Sequence, residues 1–142
     1  MNMPRRSLTA LLILSPLLLA MGIMGEAPRR DVPETGKPFG AVLVDVEGVS
    51  TEVSHFSYDG EAYLPAYRGR ALVVIPFERI AAVEFGQTQN HRRQARVLFQ
   101  DQQEELFWVD EKLLFLGKVT YGTFQIQAKD LQRIRLQPEA SR

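Results

Sequence analysis

The chain has 142 residues, 45% of them hydrophobic, and its 17 basic and 17 acidic residues give a formal net charge of zero. This length allows one domain of about 100 residues after an N-terminal segment. The balanced charge argues against a general nucleic-acid binder, which would be strongly basic. The sequence has no cysteine, which excludes disulfides, thiolate zinc sites and a lipidated N-terminal cysteine.

Residues 1–25 have the pattern of an export signal. Two arginines precede the apolar stretch at residues 8–24 (LTALLILSPLLLAMGIM), and small residues near its end fit a signal-peptidase site. The stretch is short for a bilayer span, and Pro16 and Gly22 favour a cleaved signal peptide over an uncleaved inner-membrane anchor. A buried N-terminal helix of the domain is the third interpretation. Both of the first two predict an exported chain, periplasmic or extracellular, and an uncleaved signal would anchor it to the membrane through residues 8–24.

Residues 26–38 are rich in proline and charge and predict a disordered linker. From residue 39 the pattern changes to short apolar runs separated by turn signals, with no long amphipathic helix. We therefore predict an all-β domain at residues 39–138, followed by a polar tail at residues 139–142.

The strands are predicted from apolar alternation and from turn residues such as Asp59-Gly60, a strong hairpin signal. Residues 71–75 (ALVVI) are continuously apolar, which predicts a strand covered on both faces. Pro65 cannot donate to a ladder and predicts an edge strand or a bulge. The predicted strands are residues 41–47, 51–58, 61–67, 71–75, 81–85, 95–100, 105–109, 123–126 and 133–136, with 111–116 as either a strand or a helical turn.

Two segments of the sequence resemble each other. Residues 73–85 (VVIPFERIAAVEF) and 124–136 (FQIQAKDLQRIRL) lie fifty-one residues apart and place apolar residues at matching positions around a short turn. We interpret them as two copies of one core-forming unit; the alternative is coincidence between two β segments. The pattern predicts a small β-sandwich or partly open barrel of about eight strands, preceded by the signal helix. Its two similar strand–turn–strand halves, residues 39–86 and 95–138, would pack face to face.

Catalytic chemistry has little support in the sequence. His55 shares a strand face with Ser57 but not with its neighbour Ser54, and no nucleophile-elbow motif accompanies them. No metal-ligand spacing is present, and no phosphate-binding glycine loop. We predict no enzyme activity and no cofactor. One end of the sheet could bring three carboxylates together, and these could hold a calcium ion weakly: Asp45, Asp59 and Glu61.

A basic cluster is the local feature that rises above background, at His91, Arg92, Arg93 and Arg96. The planar guanidinium group suits phosphate, sulfate or carboxylate, so the cluster is a candidate contact for an anionic lipid, a glycan or an acidic partner. The alternative is a solvated loop that keeps a nearby sheet edge from pairing with other chains.

A second candidate surface is aromatic. Tyr63, Tyr67 and Tyr121 could form a platform for a glycan or a peptide. Trp108 lies within an apolar run, and we expect it in the core or at its rim.

The sequence also resembles small all-β modules of uncharacterised bacterial envelope proteins. The resemblance depends on the pattern apolar–Pro–Phe–x–x–Ile–x–x–apolar–x–Phe at residues 75–85 and on Gly-Lys-x-x-Tyr-Gly at residues 117–122. These motifs are structural, so the resemblance implies a β fold and supplies no catalytic residues.

The expected function is a non-enzymatic interaction or scaffold module in the cell envelope. It would bind a protein or peptide along an exposed sheet edge, without nucleic acid. One alternative is a β domain that binds a small lipid or glycan in a cavity between the two halves. The other is an unrecognised hydrolase.

Overall fold

A computed structural model describes residues 38–138. The predicted signal segment, almost all of the predicted linker and the tail at residues 139–142 lie outside the described residues. Among residues 38–138, no helix is long and apolar enough to cross a membrane.

The described chain is all-β, as predicted. It forms ten antiparallel strands in one curled sheet with the shape of a half-barrel, and its only helical elements are two three-residue 3₁₀ turns. The sandwich alternative is therefore wrong, because every strand belongs to the same sheet. The strands are β1 Phe39–Asp45, β2 Ser50–Tyr58, β3 Tyr63–Arg68, β4 Ala71–Pro76, β5 Ile80–Gln89, β6 Arg92–Phe99, β7 Glu104–Asp110, β8 Leu114–Val119, β9 Gly122–Gln127 and β10 Leu131–Pro138.

The order of strands in the sheet is β4-β3-β7-β6-β5-β10-β1-β2-β8-β9. Reading this order inward from both ends pairs β4 with β9, β3 with β8, β7 with β2, β6 with β1 and β5 with β10. The sheet thus has two equivalent halves, one formed by β3 to β7 and the other by β8, β9, β10, β1 and β2. The predicted division at residues 39–86 and 95–138 was wrong, because β1 and β2 pair with β10 and β8.

The register of the ladders supports this equivalence. β3, β4 and β5 correspond to β8, β9 and β10 at an offset of fifty-one residues: Tyr67 pairs with Leu72, and Lys118 pairs with Thr123. At the centre of the sheet, Val83 pairs with Ile134, its own counterpart at that offset. An approximate two-fold axis therefore passes between β5 and β10. The halves lie side by side around this axis and share a ladder, whereas face-to-face packing was predicted.

The two 3₁₀ turns occupy equivalent positions. The first, Phe77–Arg79, joins β4 to β5, and the second, Ala128–Asp130, joins β9 to β10. Each begins with the same backbone contact, since the N–H of Phe77 donates to the carbonyl of Ala62 at 3.0 Å and that of Ala128 donates to Leu113 at 2.9 Å. The sequence signal for both turns was the break in strand alternation.

The core is formed by the inward side chains of these alternating strands, which the curl of the sheet gathers against one another. Phe56 is at its centre, stacked on Phe77 with ring centroids 5.3 Å apart and on Phe115 at 5.5 Å. Large residues that are essentially inaccessible to solvent include Leu43, Leu64, Ile80, Leu131, Ile134, Val83, Val97 and Val109.

Candidate functional site

The predicted basic cluster is divided between the two faces of β6. Arg92 and Arg96 are exposed, and Arg96 approaches Glu84 at 3.7 Å. His91 lies in the β5–β6 turn with Nδ1 3.0 Å from Oε1 of Glu111. Arg93 has the opposite orientation and is only 8% exposed. Strand alternation explains this division, and only three of the four residues are at the surface.

Arg93 is bound to the backbone inside the domain. Its Nε donates to the carbonyl of Gly86 and its Nη1 to the carbonyls of Ala128 and Lys129, all at 2.9 Å. Burial lowers the pKa of Arg93, and the nearby carboxylate of Asp130 acts in the opposite direction. The guanidinium therefore fastens the second 3₁₀ turn to β6. The sequence signal that could have identified it is its position in register with the buried Ala95 and Val97.

The three candidate tyrosines do not share one surface. Tyr63 and Tyr67 are half-buried on β3, where the ring of Tyr63 lies 5.8 Å from that of Tyr58. The pKa of the Tyr58 hydroxyl is raised, mainly because the group is buried and secondly because Tyr63 is near. Tyr121 lies in the β8–β9 turn, in the other half, and is 86% exposed. An aromatic platform formed by all three is therefore not present in the described domain.

An apolar surface of a different composition lies on the outer face of β4, β3 and β7. Leu72 and Val74 of β4 are 57% and 52% exposed, the most exposed large aliphatic side chains of any strand in the described domain. Tyr67 pairs with Leu72 on one side and with Trp108 on the other, and Pro65 pairs with Val74. We call these five residues the edge patch.

The prediction that residues 71–75 are covered on both faces was wrong. β4 ends the sheet, and its outer side chains face solvent. Apolar side chains on both faces of a strand do not distinguish a central strand from an edge strand, because side-chain alternation reports on faces and not on neighbours. Trp108 was expected in the core or at its rim, and it is partly buried on the outer face of β7, between the buried Phe107 and Val109.

Pro65 lies where the ladder between β3 and β7 is shortest. β3 is not an edge strand, since it lies between β4 and β7, but its ladder to β7 consists of the single pair Tyr67–Trp108. A proline in β3 cannot donate to a neighbour. The backbone ladder that joins the β3–β4 hairpin to β7 is therefore short.

Arg92 borders the edge patch. Its guanidinium carbon lies 3.9 Å from the centroid of the Tyr67 ring, a favourable cation–π geometry. Beside it is a cleft of about 450 Å³ lined by Gly69, Gln89, Asn90, Arg92 and Trp108. A partner on the edge patch would thus meet an apolar centre with one guanidinium at its rim.

The backbone of β4 offers hydrogen-bonding groups along the same edge. Gly69, with φ of +61°, and Arg70 form a two-residue turn closed by the pair Arg68–Ala71. In such a hairpin, alternate residues bond across the ladder, so Ala71 and Val73 bond to β3. The N–H and C=O groups of Leu72 and Val74 then point away from β3, where the described sheet has no further strand.

The opposite edge, β9, has the same geometry and different side chains. Thr123 and Gln125 are its counterparts of Leu72 and Val74, and both are exposed and polar. The two ends of the sheet therefore differ in chemistry at equivalent positions, and only the β4 end combines open backbone groups with an apolar outer face.

Two further clefts lie at equivalent places beside the 3₁₀ turns, with volumes of about 470 and 380 Å³. The larger includes Asp45, Glu47 and Asp130, and the smaller includes Arg79 and Asp101. Each lies within one half of the sheet, whereas the ligand-binding alternative expected a cavity between the halves. Within residues 38–138, no group of three or more His, Asp or Glu side chains is placed to hold a metal ion.

His55 interrupts β2. Its φ of 51° is left-handed, and the register with β8 shifts between Ser54 and Ser57. This bulge brings His55 Nδ1 within 3.3 Å of Ser54 Oγ, although simple alternation places these side chains on opposite faces. Ser57 is fully buried, and its Oγ accepts a hydrogen bond from the N–H of Gly60 at 3.0 Å. It therefore stabilises the β2–β3 turn.

Residues 35–139 match a protein-family model described as "Uncharacterised protein". The chain belongs to this family. The match spans the whole described domain, so the family and the ten-stranded sheet coincide. No curated protein and no solved structure gave a significant match.

Proposed function

We propose that this family member is a non-enzymatic, exported envelope protein whose domain acts as an interaction module, binding a strand of a partner along β4. The observation that carries this proposal is the coincidence of the edge patch with the open backbone groups of Leu72 and Val74. Strand addition uses main-chain hydrogen bonds for affinity and alternate side chains for specificity, and β4 offers both.

The surface composition supports the same interpretation. Exposed apolar groups that form a patch with a polar rim are typical of interaction sites. Leu72, Val74 and Tyr67 form such a centre, and Arg92 supplies a charged rim that could pair with a carboxylate of the partner. Arg92 is thus the member of the predicted basic cluster best placed for a secondary contact.

Export is the second part of the proposal. It is supported by the arginines and the apolar stretch at residues 1–25 and by the charged, proline-rich segment that follows. Fractionation of expressing bacteria tests it directly. We expect the chain in the periplasmic or membrane fraction, either shortened in intact mass or retained by an uncleaved anchor; a full-length cytoplasmic product would contradict export.

Site-specific photo-crosslinking in expressing cells tests the binding edge. A photoreactive residue at position 74 should give protein adducts, whereas one at position 125, the equivalent position on β9, should give far fewer. The matched position controls for exposure and strand geometry, because Val74 and Gln125 are both exposed outer residues of terminal strands. Equal adduct yields at the two positions would reject β4 as the binding edge.

A further inference from the structure

We infer that the strand added to β4 is β4 of a second copy of this chain, paired antiparallel around Val73. This inference depends on the proposed function and names the partner at the same edge. It extends the curled sheet continuously from one copy into the other, through a two-fold interface in which the same surface is used on both sides.

The backbone register of β4 favours this pairing. The groups that point to the open edge belong to Leu72 and Val74, one residue on either side of Val73. In an antiparallel pair centred on Val73, Leu72 of each copy faces Val74 of the other. Each of these pairs exchanges two hydrogen bonds, so the open donors and acceptors of both residues are satisfied.

The side chains of two β4 strands are complementary on both faces of the sheet. On the outer face, Leu72 lies opposite Val74 of the second copy. On the inner face, Val73 lies opposite its own counterpart, and Ala71 lies opposite Ile75. Every cross-strand pair within residues 71–75 (ALVVI) is apolar in this register, and this segment contains no charge. The strand is therefore complementary to itself.

The other terminal strand, β9, differs from β4 in its outer side chains. Edge strands in soluble proteins are usually protected by charges, prolines or bulges. In the register equivalent to that of β4, a pair of β9 strands would place the exposed, polar Thr123 opposite Gln125. β4 has a proline only at its end, at Pro76, where it removes one donor and leaves Leu72 and Val74 available. Pairing with a second copy would explain why the apolar outer residues of β4 are exposed.

Disulfide trapping in the full chain tests the register, because the native sequence has no cysteine. In the proposed pair Val73 faces itself in a non-hydrogen-bonded position, with a Cα separation of about 4.5 Å, close enough for a disulfide. Val73→Cys should therefore give a covalent dimer under mild oxidation. Leu72→Cys alone should give much less, because its partner position is Val74, and the double variant Leu72→Cys/Val74→Cys should recover the dimer.

Phe124→Cys is the matched control. Phe124 is the counterpart of Val73 on β9 and, like it, is partly buried against the core. Since both variants retain the same N-terminal segment, association through that segment affects both equally. Equal cross-linking of the Val73 and Phe124 variants would overturn the inference, as would equal cross-linking of the single variants at Val73 and Leu72.

A charge on β4 gives an independent measurement. Val74→Lys should raise the dimer dissociation constant at least about tenfold, since the ammonium group would be placed against Leu72 of the second copy. Gln125→Lys should leave it unchanged, and circular dichroism should show both variants folded. If photo-crosslinking at position 74 captures a different protein and Val73→Cys stays monomeric, the interaction module stands and self-pairing fails. If position 74 captures no protein above the level of position 125, both fail.

Discussion

The two halves of the sheet share one backbone plan and fix their equivalent 3₁₀ turns by different chemistry. In the first turn, Phe77 packs edge-on against Phe39 with ring centroids 5.8 Å apart. Ala128 occupies the equivalent place in the second turn. Ala41 pairs with Leu136 as Ala95 pairs with Phe85, so the counterpart of Phe39, two residues before Ala41, is Arg93. The guanidinium of Arg93 binds the turn carbonyls. Aromatic packing on one side of the pseudo-two-fold axis is thus replaced by hydrogen bonding on the other.

Both contacts also cross the axis. Phe39 begins β1, in the half that contains the second turn, yet it packs on the first turn. Arg93 belongs to β6, in the half of the first turn, yet it binds the second. These two contacts connect the halves in addition to the β5–β10 ladder. The comparison teaches that what the fold requires at this place is a contact between halves, which can be apolar or polar.

Phe77→Ala should have the largest effect on this comparison. It removes the ring that contacts both Phe39 and Phe56 and leaves a cavity in the core. We expect a loss of about 3–5 kcal/mol in the free energy of unfolding, measured by urea denaturation. Glu78→Ala, an exposed neighbour in the same turn, is the control and should change stability by less than about 0.5 kcal/mol. Similar losses for both variants would show that the ring does not hold the turn.

Arg93→Met should have the second-largest effect on the free energy of unfolding. The substitution keeps an unbranched side chain but leaves the carbonyls of Gly86, Ala128 and Lys129 without their donor. We expect a loss of about 2–4 kcal/mol, because unsatisfied buried acceptors are costly and removing the charge offsets part of that cost.

The matched control for Arg93 is Arg96→Met on the same strand. Arg96 is exposed and approaches Glu84 only at 3.7 Å, so its loss should change stability by no more than about 0.5 kcal/mol. Arg93→Lys should recover only part of the stability, since one ammonium group cannot reproduce the planar set of donors. Full recovery by lysine would mean that charge, and not the hydrogen-bond geometry, holds the second turn.

The sequence was sufficient to predict the β class and one segment of the repeat. Residues 73–85 and 124–136 matched because they contain a turn between two strands, where the apolar pattern is distinctive. The rest of the equivalence was hidden for a topological reason. β1 and β2 precede the first half in the chain but complete the second, so their similarity to β6 and β7 runs at a different offset and in permuted order.

The candidate site was harder to predict than the fold. The run at residues 71–75 indicated burial, and only the strand order reveals that β4 has one neighbour in the described sheet. Arg93 was grouped with Arg92 by proximity in sequence, although alternation in β6 places it on the face of Ala95. Sequence patterns report the face of a residue, whereas a binding edge depends on which strands pair.

Gly117→Ala should destabilise the domain less than Phe77→Ala or Arg93→Met, and it provides the sharpest test of the equivalence of the halves. Its counterpart at the offset of fifty-one residues is Ala66, which is fully buried, so the fold accepts a Cβ at that place in the first half. In the second half, a Cβ on Gly117 would lie 2.9 Å from both Cβ and Cγ2 of Val53. We expect a loss of about 1–3 kcal/mol from this overpacking, measured by urea denaturation.

Val53→Ala in the same chain tests the steric cause of that loss. Removing Cγ2 of Val53 relieves one of the two 2.9 Å contacts and leaves the Cβ of that residue in place, so Gly117→Ala should destabilise the Val53→Ala background less than the parent. The coupling in this double-mutant cycle should exceed about 0.5 kcal/mol, as is usual for residues in direct contact. Equal losses in both backgrounds would exclude Cγ2 of Val53 as the reason why the second half needs glycine where the first half carries alanine. The restriction would then come from the contacts that alanine at position 53 leaves, with its Cβ at 2.9 Å and the carbonyl oxygen of Ser54 at 3.3 Å.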